Sequence, residues 1–306
     1  MAKRIIHIGA NKTGSTTLQR WLFSRHPKIL YLGEDCERYE AHQEILDSIV
    51  YDDDLYFSSE AAQRLFNQFI SSQGDKTFVY SNEDILRSRV PALCAQRLHK
   101  LVPDAEIVLI IRNQVSAVES WYINHGAYLK FVPRRYWRRF VSFDDWMNYC
   151  LMFLRYSPLD SFFYYRHVNL YASLFGKENV HVIFYEDFRN NRIKFFEQLG
   201  CILGINSTEI EQLIEQKRER RRHTLRQYMY HRFRSWFFGG QFYDYPLPVG
   251  EGVKKQWRGF LQAGPPAGGI VSDAWVARIR DLYKEDNALL AKEYNLPLKD
   301  YGYPLE

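Results

Sequence analysis

Ile5-Ile6-His7-Ile8-Gly9-Ala10-Asn11-Lys12-Thr13-Gly14-Ser15-Thr16-Thr17-Leu18 is the stretch on which the reading of this chain turns. An apolar, β-branched run enters a turn bounded by two glycines, and hydroxyl residues then open a helix. A nucleoside-triphosphatase loop reads G-x-x-x-x-G-K-[ST], its lysine reaching the terminal phosphates. From Gly9 this chain reads G-x-x-x-x-G-S-T, and the lysine stands at Lys12, two residues ahead of the second glycine. Such a loop still cradles an oxyanion on backbone N–H groups at a helix N-terminus. What differs is where the positive charge sits relative to that anion.

Further short apolar runs follow at Lys28–Leu32, Thr77–Ser81, Glu106–Ile111 and Val180–Tyr185, the first being Arg4–Ile8. They are nearly continuous in Ile, Val, Leu, Tyr and Phe, as parallel strands covered on both faces should be. Helical patterns separate them: Thr16–Ser24, Ser59–Ser72, Ala92–Leu101, Val115–Leu129 and Phe195–Leu203. The alternation predicts an α/β protein, a three-layer α/β/α arrangement around a central, mainly parallel sheet. The stretch 131–175 reads as helical and aromatic, Ile210–Phe238 as one very basic helix, Gly239–Gly269 as a long Gly/Pro-rich loop, and Ala274–Tyr294 as a last helix. The expected organisation is a single domain over 1–306, with a helical, substrate-facing insertion at about 121–175. A basic helix and lid follow at about 210–269.

Composition adds bounds. The 306 residues, 46% hydrophobic and 25% charged, are ordinary for a globular chain, and a net charge of +5 neither demands nor excludes an anionic ligand. Cys36, Cys94, Cys150 and Cys201 are far apart with no C-x-x-C pair, so reduced thiols are expected rather than a zinc site or disulfide framework. No segment approaches the roughly 18 apolar residues of a membrane helix. The expectation is a cytoplasmic protein, or one whose anchor lies outside this sequence.

The first loop resembles the 5′-phosphosulfate loop of sulfotransferases that use 3′-phosphoadenosine 5′-phosphosulfate (PAPS), whose pattern is K-x-G-[ST]-T-x-L. Lys12, Gly14, Ser15, Thr16 and Leu18 match it. A second match begins where the fourth strand ends. Arg112, Ser120 and Tyr122 fall on the family's R-[ND]-P-x-x-x-x-x-S-x-[YF], with Gln114 in place of the usual proline. There the resemblance implies a 3′-phosphate site, for which arginine suits because its planar fork meets phosphate oxygens in pairs and stays charged. A third match, Tyr185-Glu186-Asp187-Phe188 followed by Phe196-Glu197-Gln198-Leu199-Gly200, resembles Y-E-D-[LFM] and its helix, and implies Tyr185 near the adenine. The resemblance covers roughly residues 4–205. Read singly, Arg112 is equally a salt-bridge arginine, and Tyr185 a core residue at a strand end.

Transfer of a sulfuryl group follows the logic of phosphoryl transfer: a loose transition state, in-line attack, and catalysis by positioning and charge. The resemblance therefore implies Lys12 at the leaving oxygen, with Thr13, Ser15, Thr16, Thr17 and the loop N–H groups around the sulfonate and phosphate. No pair of acids suggests Mg²⁺, and no metal is expected. An acceptor hydroxyl needs a base within hydrogen-bond reach. Glu83, after the third strand, ranks first. Glu34, after the second strand and a His26-Pro27 step, ranks second, and His125 third. Either glutamate also suits a helix cap or a solvated loop. The implied acceptor is a carbohydrate or glycoconjugate hydroxyl, with a small phenol or alcohol next. Aromatic and basic residues between Trp121 and Phe140, and Arg218–Arg222, suit an acidic acceptor or simply face water. Two other classes stay open: a P-loop kinase, opposed by the missing G-K-[ST], and a polyanion binder, which leaves the loop unexplained. Nucleic acid is not an expected partner, and the oligomeric state is not legible.

Overall fold

Successive residues of a strand point to opposite faces of its sheet, and here both faces are apolar. In this computed structural model, which describes residues 2–34, 36, 40–126, 140–215, 223–238 and 250–306, five strands pair in parallel. They are β1 (Arg4–His7), β2 (Ile29–Gly33), β3 (Thr77–Ser81), β4 (Glu106–Ile111) and β5 (Val180–Phe184), in the order β2-β3-β1-β4-β5. The third and fourth keep their expected limits, and the others shift by a residue at one or both ends.

Ile5, Val79, Val108, Ile110 and Ile183 face one layer, where Leu18, Leu22, Phe23, Phe195, Phe196 and Leu199 cover them. Phe78 and Tyr80 face the other, meeting Phe66 at 6.1 and 5.4 Å between ring centroids. Helices thus lie on both sides, as the sequence pattern predicts. The chain leaves β1 toward β2, on one flank of the sheet, and leaves β4 toward β5, on the other. The carboxyl ends of β1 and β4 therefore form the switch point at which open parallel sheets bind ligands.

The helices are α1 (Ser15–Thr17), α2 (Gln43–Tyr51), α3 (Ser59–Ser71), α4 (Pro91–Leu101), α5 (Gln114–Asn124), α6 (Phe143–Met152), α7 (Tyr164–Phe175), α8 (Tyr185–Asn190), α9 (Arg192–Leu203), α10 (Ser207–Glu215), α11 (Leu225–Phe238), α12 (Glu251–Gln262) and α13 (Asp273–Tyr294). The helix expected over 16–24 is instead the single turn α1 continued by a wider π turn at Leu18–Phe23, with the Ser24 N–H donating to the Gln19 carbonyl. Such widenings insert a residue without breaking the helix.

Two expectations are corrected. The basic helix over 210–238 is two helices, because Thr224 and Gln227 form a capping box that starts α11 afresh: Thr224 Oγ1 accepts from the Gln227 N–H at 3.1 Å and Gln227 Oε1 from the Thr224 N–H at 2.8 Å. The Gly/Pro-rich loop over 239–269 contains α12, where Val253, Trp257, Phe260 and Leu261 recur at helical spacing and outweigh Gly252 and Gly259. The run Arg218–Arg222, the stretch 127–139 and residues 239–249 lie outside the described residues.

The described residues group into two units. The first, 1–113, 161–219 and 284–305, carries the sheet; the second, 114–160 and 220–283, is helical and aromatic, with Tyr122 packed on Phe143 and Trp146. Among the described residues no helix is long and apolar enough to cross a membrane. All four cysteines are free, and burial pushes the Cys94 thiol up to about 12.

Gly33, where β2 ends beside Ser81, admits no side chain. A Cβ there would meet the Tyr31 hydroxyl and the Ser81 carbonyl oxygen, the latter at 2.5 Å. Gly33→Ala is expected to lower stability by about 1–3 kcal/mol in urea unfolding. Gly250→Ala, facing open space, should leave it within about 0.5 kcal/mol.

Candidate nucleotide site

The loop after β1 is shaped by two residues in the left-handed region, Lys12 at φ 71° and Gly14 at φ 85°. Glycine adopts that conformation freely; a lysine there is uncommon and is held by its surroundings. Alternating backbone handedness turns successive N–H groups inward, the concavity that binds anions. Thr13 Oγ1 donates to the Ala10 carbonyl at 2.5 Å and lies 3.2 Å from Ser15 Oγ. The Thr17 and Leu18 N–H groups are spent on the Gly14 carbonyl. A side chain on Gly14 would approach Phe188 at 3.2 Å and Tyr185 at 3.6 Å, so both rings of the Tyr185–Phe188 motif lie against this turn.

Arg112 follows β4, is 5% exposed, and donates from Nη1 to the Lys12 carbonyl at 2.8 Å. Its guanidinium carbon sits 4.8 Å from the Tyr185 ring centroid, within cation–π reach. The structure thus brings Lys12, Gly14, Arg112 and Tyr185 together. The Arg112 backbone is itself clamped, since buried Tyr164 donates its hydroxyl to the Arg112 carbonyl at 2.8 Å and accepts from the Arg112 N–H at 3.3 Å. The next residue is tied as well. The Asn113 N–H donates to Glu186 at 2.8 Å, and its side-chain amide donates to the Gly302 carbonyl at 2.7 Å. Tyr303 donates to the other Glu186 oxygen at 3.1 Å. Burial raises the Glu186 carboxyl above the usual range, while these donors and Arg112 pull it back. This C-terminal clasp has no motif and escapes sequence reasoning.

Beneath the loop lies a buried polar cluster that is also absent from the sequence expectations. His7 Nδ1 is 2.8 Å from Ser81 Oγ, and Gln19 Nε2 donates to the same oxygen at 3.1 Å. All three residues are 0% exposed, and His7 Nε2 has no hydrogen-bond partner. The π turn delivers Gln19 to Ser81; its sequence signal is only a polar residue inside an apolar helical run. Burial pulls the His7 imidazole down to about 4, so it is neutral near pH 7.

The base candidates leave neighbouring strand ends. Glu83 opens a 3₁₀ turn capped by Asn82, whose Oδ1 accepts from the Asp84 N–H at 2.8 Å. Asp84 is engaged by Arg87 at 2.7 Å and by the Tyr51 hydroxyl. Glu34 follows β2, its carbonyl accepting from the Tyr31 hydroxyl at 2.9 Å. β3 adjoins β1, whereas β2 is one strand further out. Ser120, buried on α5, and His125, whose ring lies 5.0 Å from that of Trp121, belong to the second unit. Among the described residues no three His, Cys, Asp or Glu side chains gather as a metal would require.

A parallel α/β sheet with a glycine-bounded anion loop at its switch point defines a nucleotide-binding class. Residues 2–231 match the sulfotransferase domain family, and the chain belongs to that family. Among solved structures it is similar to a sulfotransferase from Alicyclobacillus acidocaldarius, at 20% identity over 92% of this chain and 96% of that one, TM-score 0.48. It is also similar to a sulfotransferase domain from the curacin biosynthetic pathway, at 15% identity over 92% and 97%, TM-score 0.43. A third is mouse sulfotransferase SULT7A1 complexed with PAP, at 14% identity over 98% and 88%, TM-score 0.44. No curated protein matches the chain.

The unfolded His7 side chain titrates near 6.5 and the folded one near 4, so between these values the unfolded chain binds more protons and stability is lost as the pH is lowered. From pH 6.5 to 4 the wild type should lose up to about 3 kcal/mol more than His7→Phe in chemical unfolding. Parallel losses in the two proteins would show that His7 is not held neutral.

Proposed function

We propose that this sulfotransferase moves the sulfuryl group from PAPS to an acceptor hydroxyl. The observation that carries the reading is the hydrogen bond from Arg112 to the Lys12 carbonyl, which ties an anion loop to a second cation at the switch point. A donor with phosphate at both ends of its ribose needs such a pair of sites, and PAPS supplies the sulfuryl group and a leaving 5′-phosphate. Toward the 5′ end, the loop N–H groups and the hydroxyls of Thr13, Ser15, Thr16 and Thr17 hold anionic oxygens. Lys12 stabilises the charge developing on the leaving oxygen. Arg112 takes the 3′-phosphate in forked hydrogen bonds. Tyr185, against both Gly14 and Arg112, offers its ring to the adenine. The fit draws further support from the buried, partnerless His7 Nε2 under the loop.

Glu83 is the proposed base. As the acceptor O–S bond forms and the S–O bond to the 5′-phosphate breaks, its carboxylate takes the hydroxyl proton. The strand order favours it over Glu34, because β3 is the direct neighbour of β1. The proposed acceptor is a carbohydrate or glycoconjugate hydroxyl, with a small phenol or alcohol as the second arm of an acceptor screen.

Adenosine 3′,5′-bisphosphate should raise the thermal midpoint, by mass action on the folded state, whereas ATP with Mg²⁺ should not. Stabilisation by ATP–Mg²⁺ alone would overturn the reading in favour of a kinase. Lys12→Ala is expected to lower kcat by about 10²–10³. Glu83→Gln should keep bisphosphate affinity and lower kcat by about 10²–10⁴. Full turnover in Glu83→Gln would transfer the role to Glu34.

A further inference from the structure

The buried cluster under the loop is wired in one direction. Gln19 donates an amide proton to Ser81 Oγ at 3.1 Å, and among the described residues His7 Nδ1, at 2.8 Å, is the one acceptor within reach of the Ser81 hydroxyl proton. A neutral imidazole that accepts at Nδ1 carries its own proton on Nε2. That N–H is sealed from solvent and has no acceptor. A buried polar atom left unsatisfied is costly and calls for a physical reason.

Where the N–H lies identifies the task. A Cβ on Gly9 would stand 2.7 Å from His7 Nε2 and 2.8 Å from Ser15 Oγ, so these two atoms flank one point, open only because residue 9 lacks a side chain. Thr13 gives its proton to the Ala10 carbonyl at 2.5 Å. The Ser15 proton therefore goes to Thr13 Oγ1, across a long 3.2 Å. That bond is easily exchanged for one to a charged acceptor, since hydrogen bonds to anions are about twice as strong as neutral ones.

We propose that His7 is a positioning residue of the phosphate loop: with an anion bound, His7 Nε2–H donates to Ser15 Oγ and the Ser15 hydroxyl proton turns to the anion. The chain of donors runs from Gln19 through Ser81, His7 and Ser15 to the ligand, and every proton in it has one acceptor. Neutrality is part of the design, since burial holds the imidazole down to about 4 and leaves the Nε2 proton in place at working pH. The proposal takes from the reading above only the identity of the anion, the 5′ end of the nucleotide.

Calorimetric titration with adenosine 3′,5′-bisphosphate and with adenosine 3′-monophosphate separates the two ends. His7→Phe should weaken the bisphosphate about tenfold and leave the monophosphate unchanged. Ser15→Ala should behave alike, and the double variant should lose no more than either single one. Unchanged bisphosphate affinity in His7→Phe, or an equal loss on both ligands, overturns the proposal, the second outcome marking a merely structural residue. Should His7→Phe not fold, Ser81→Ala carries the same test, with a smaller loss confined to the bisphosphate. Nitrogen-15 NMR of the histidines in the ligand-free protein adds a check independent of any nucleotide. His7 must be neutral and Nε2-protonated at pH 7, and the Nδ1-protonated form overturns the relay. If the wild type binds neither nucleotide while the NMR pattern holds, the nucleotide reading fails, and the relay is then decided by repeating the His7→Phe comparison with inorganic pyrophosphate.

Discussion

Arg112 is a permanent charge almost entirely removed from water, and a guanidinium in that position has to be satisfied inside the protein. Part of the answer is the Lys12 carbonyl, and this choice propagates. To present that carbonyl, Lys12 adopts φ 71°, a conformation that a lysine does not take unaided. The turn then continues through Gly14 at φ 85°, and the two together give the loop its concave run of N–H groups. The arginine is thus both a candidate ligand for one phosphate and a fastener of the loop for the other. Loss of its side chain should loosen both ends of the site, which is why a change at Arg112 cannot be read as the loss of one contact.

The arginine in turn depends on the frame around its backbone. Tyr164 holds both its N–H and its carbonyl, and Asn113 is pinned by Glu186 on one side and the Gly302 carbonyl on the other. Tyr301 stacks on Phe184 at 4.2 Å between centroids, so the last residues of the chain are fixed to the end of β5. Residues far apart in sequence thereby immobilise one strand end. Rigid first contacts held by a second layer are what a positioning mechanism requires, because a loosely held donor loses rate as well as affinity.

What the sequence discloses and what it hides divide along the same line. The strands are legible because runs such as Thr77–Ser81 and Glu106–Ile111 are apolar on both faces, and only a parallel sheet covered on both sides needs that. Lys12 and Gly14 are legible because loop chemistry fixes their spacing, and Arg112 because it stands eight residues before Ser120 at a strand end. His7, Ser81 and Gln19 are not, since each is a single polar residue inside an apolar element and their association depends on strand order and a π turn. The clasp at Gly302 and Tyr303 is hidden for the same reason: it joins distant segments without a local pattern. The helix Glu251–Gln262 is obscured differently, by glycines whose turn propensity is a weaker effect than the apolar stripe they interrupt.

The placement of charge follows from these parts. A triphosphatase loop sets its lysine after the second glycine, where it reaches toward terminal phosphates that a metal also holds. Here Lys12 precedes that glycine, and its carbonyl, rather than its ammonium, binds the arginine. The backbone of the strained residue is thus structural. Directly below, the polar floor made by His7, Ser81 and Gln19 is neutral, because burial disfavours the charged form of the imidazole. In the proposed site Lys12 and Arg112 carry full positive charge, and oriented N–H and O–H dipoles add to it. Such dipoles attract an anion without needing a counter-charge when no anion is bound.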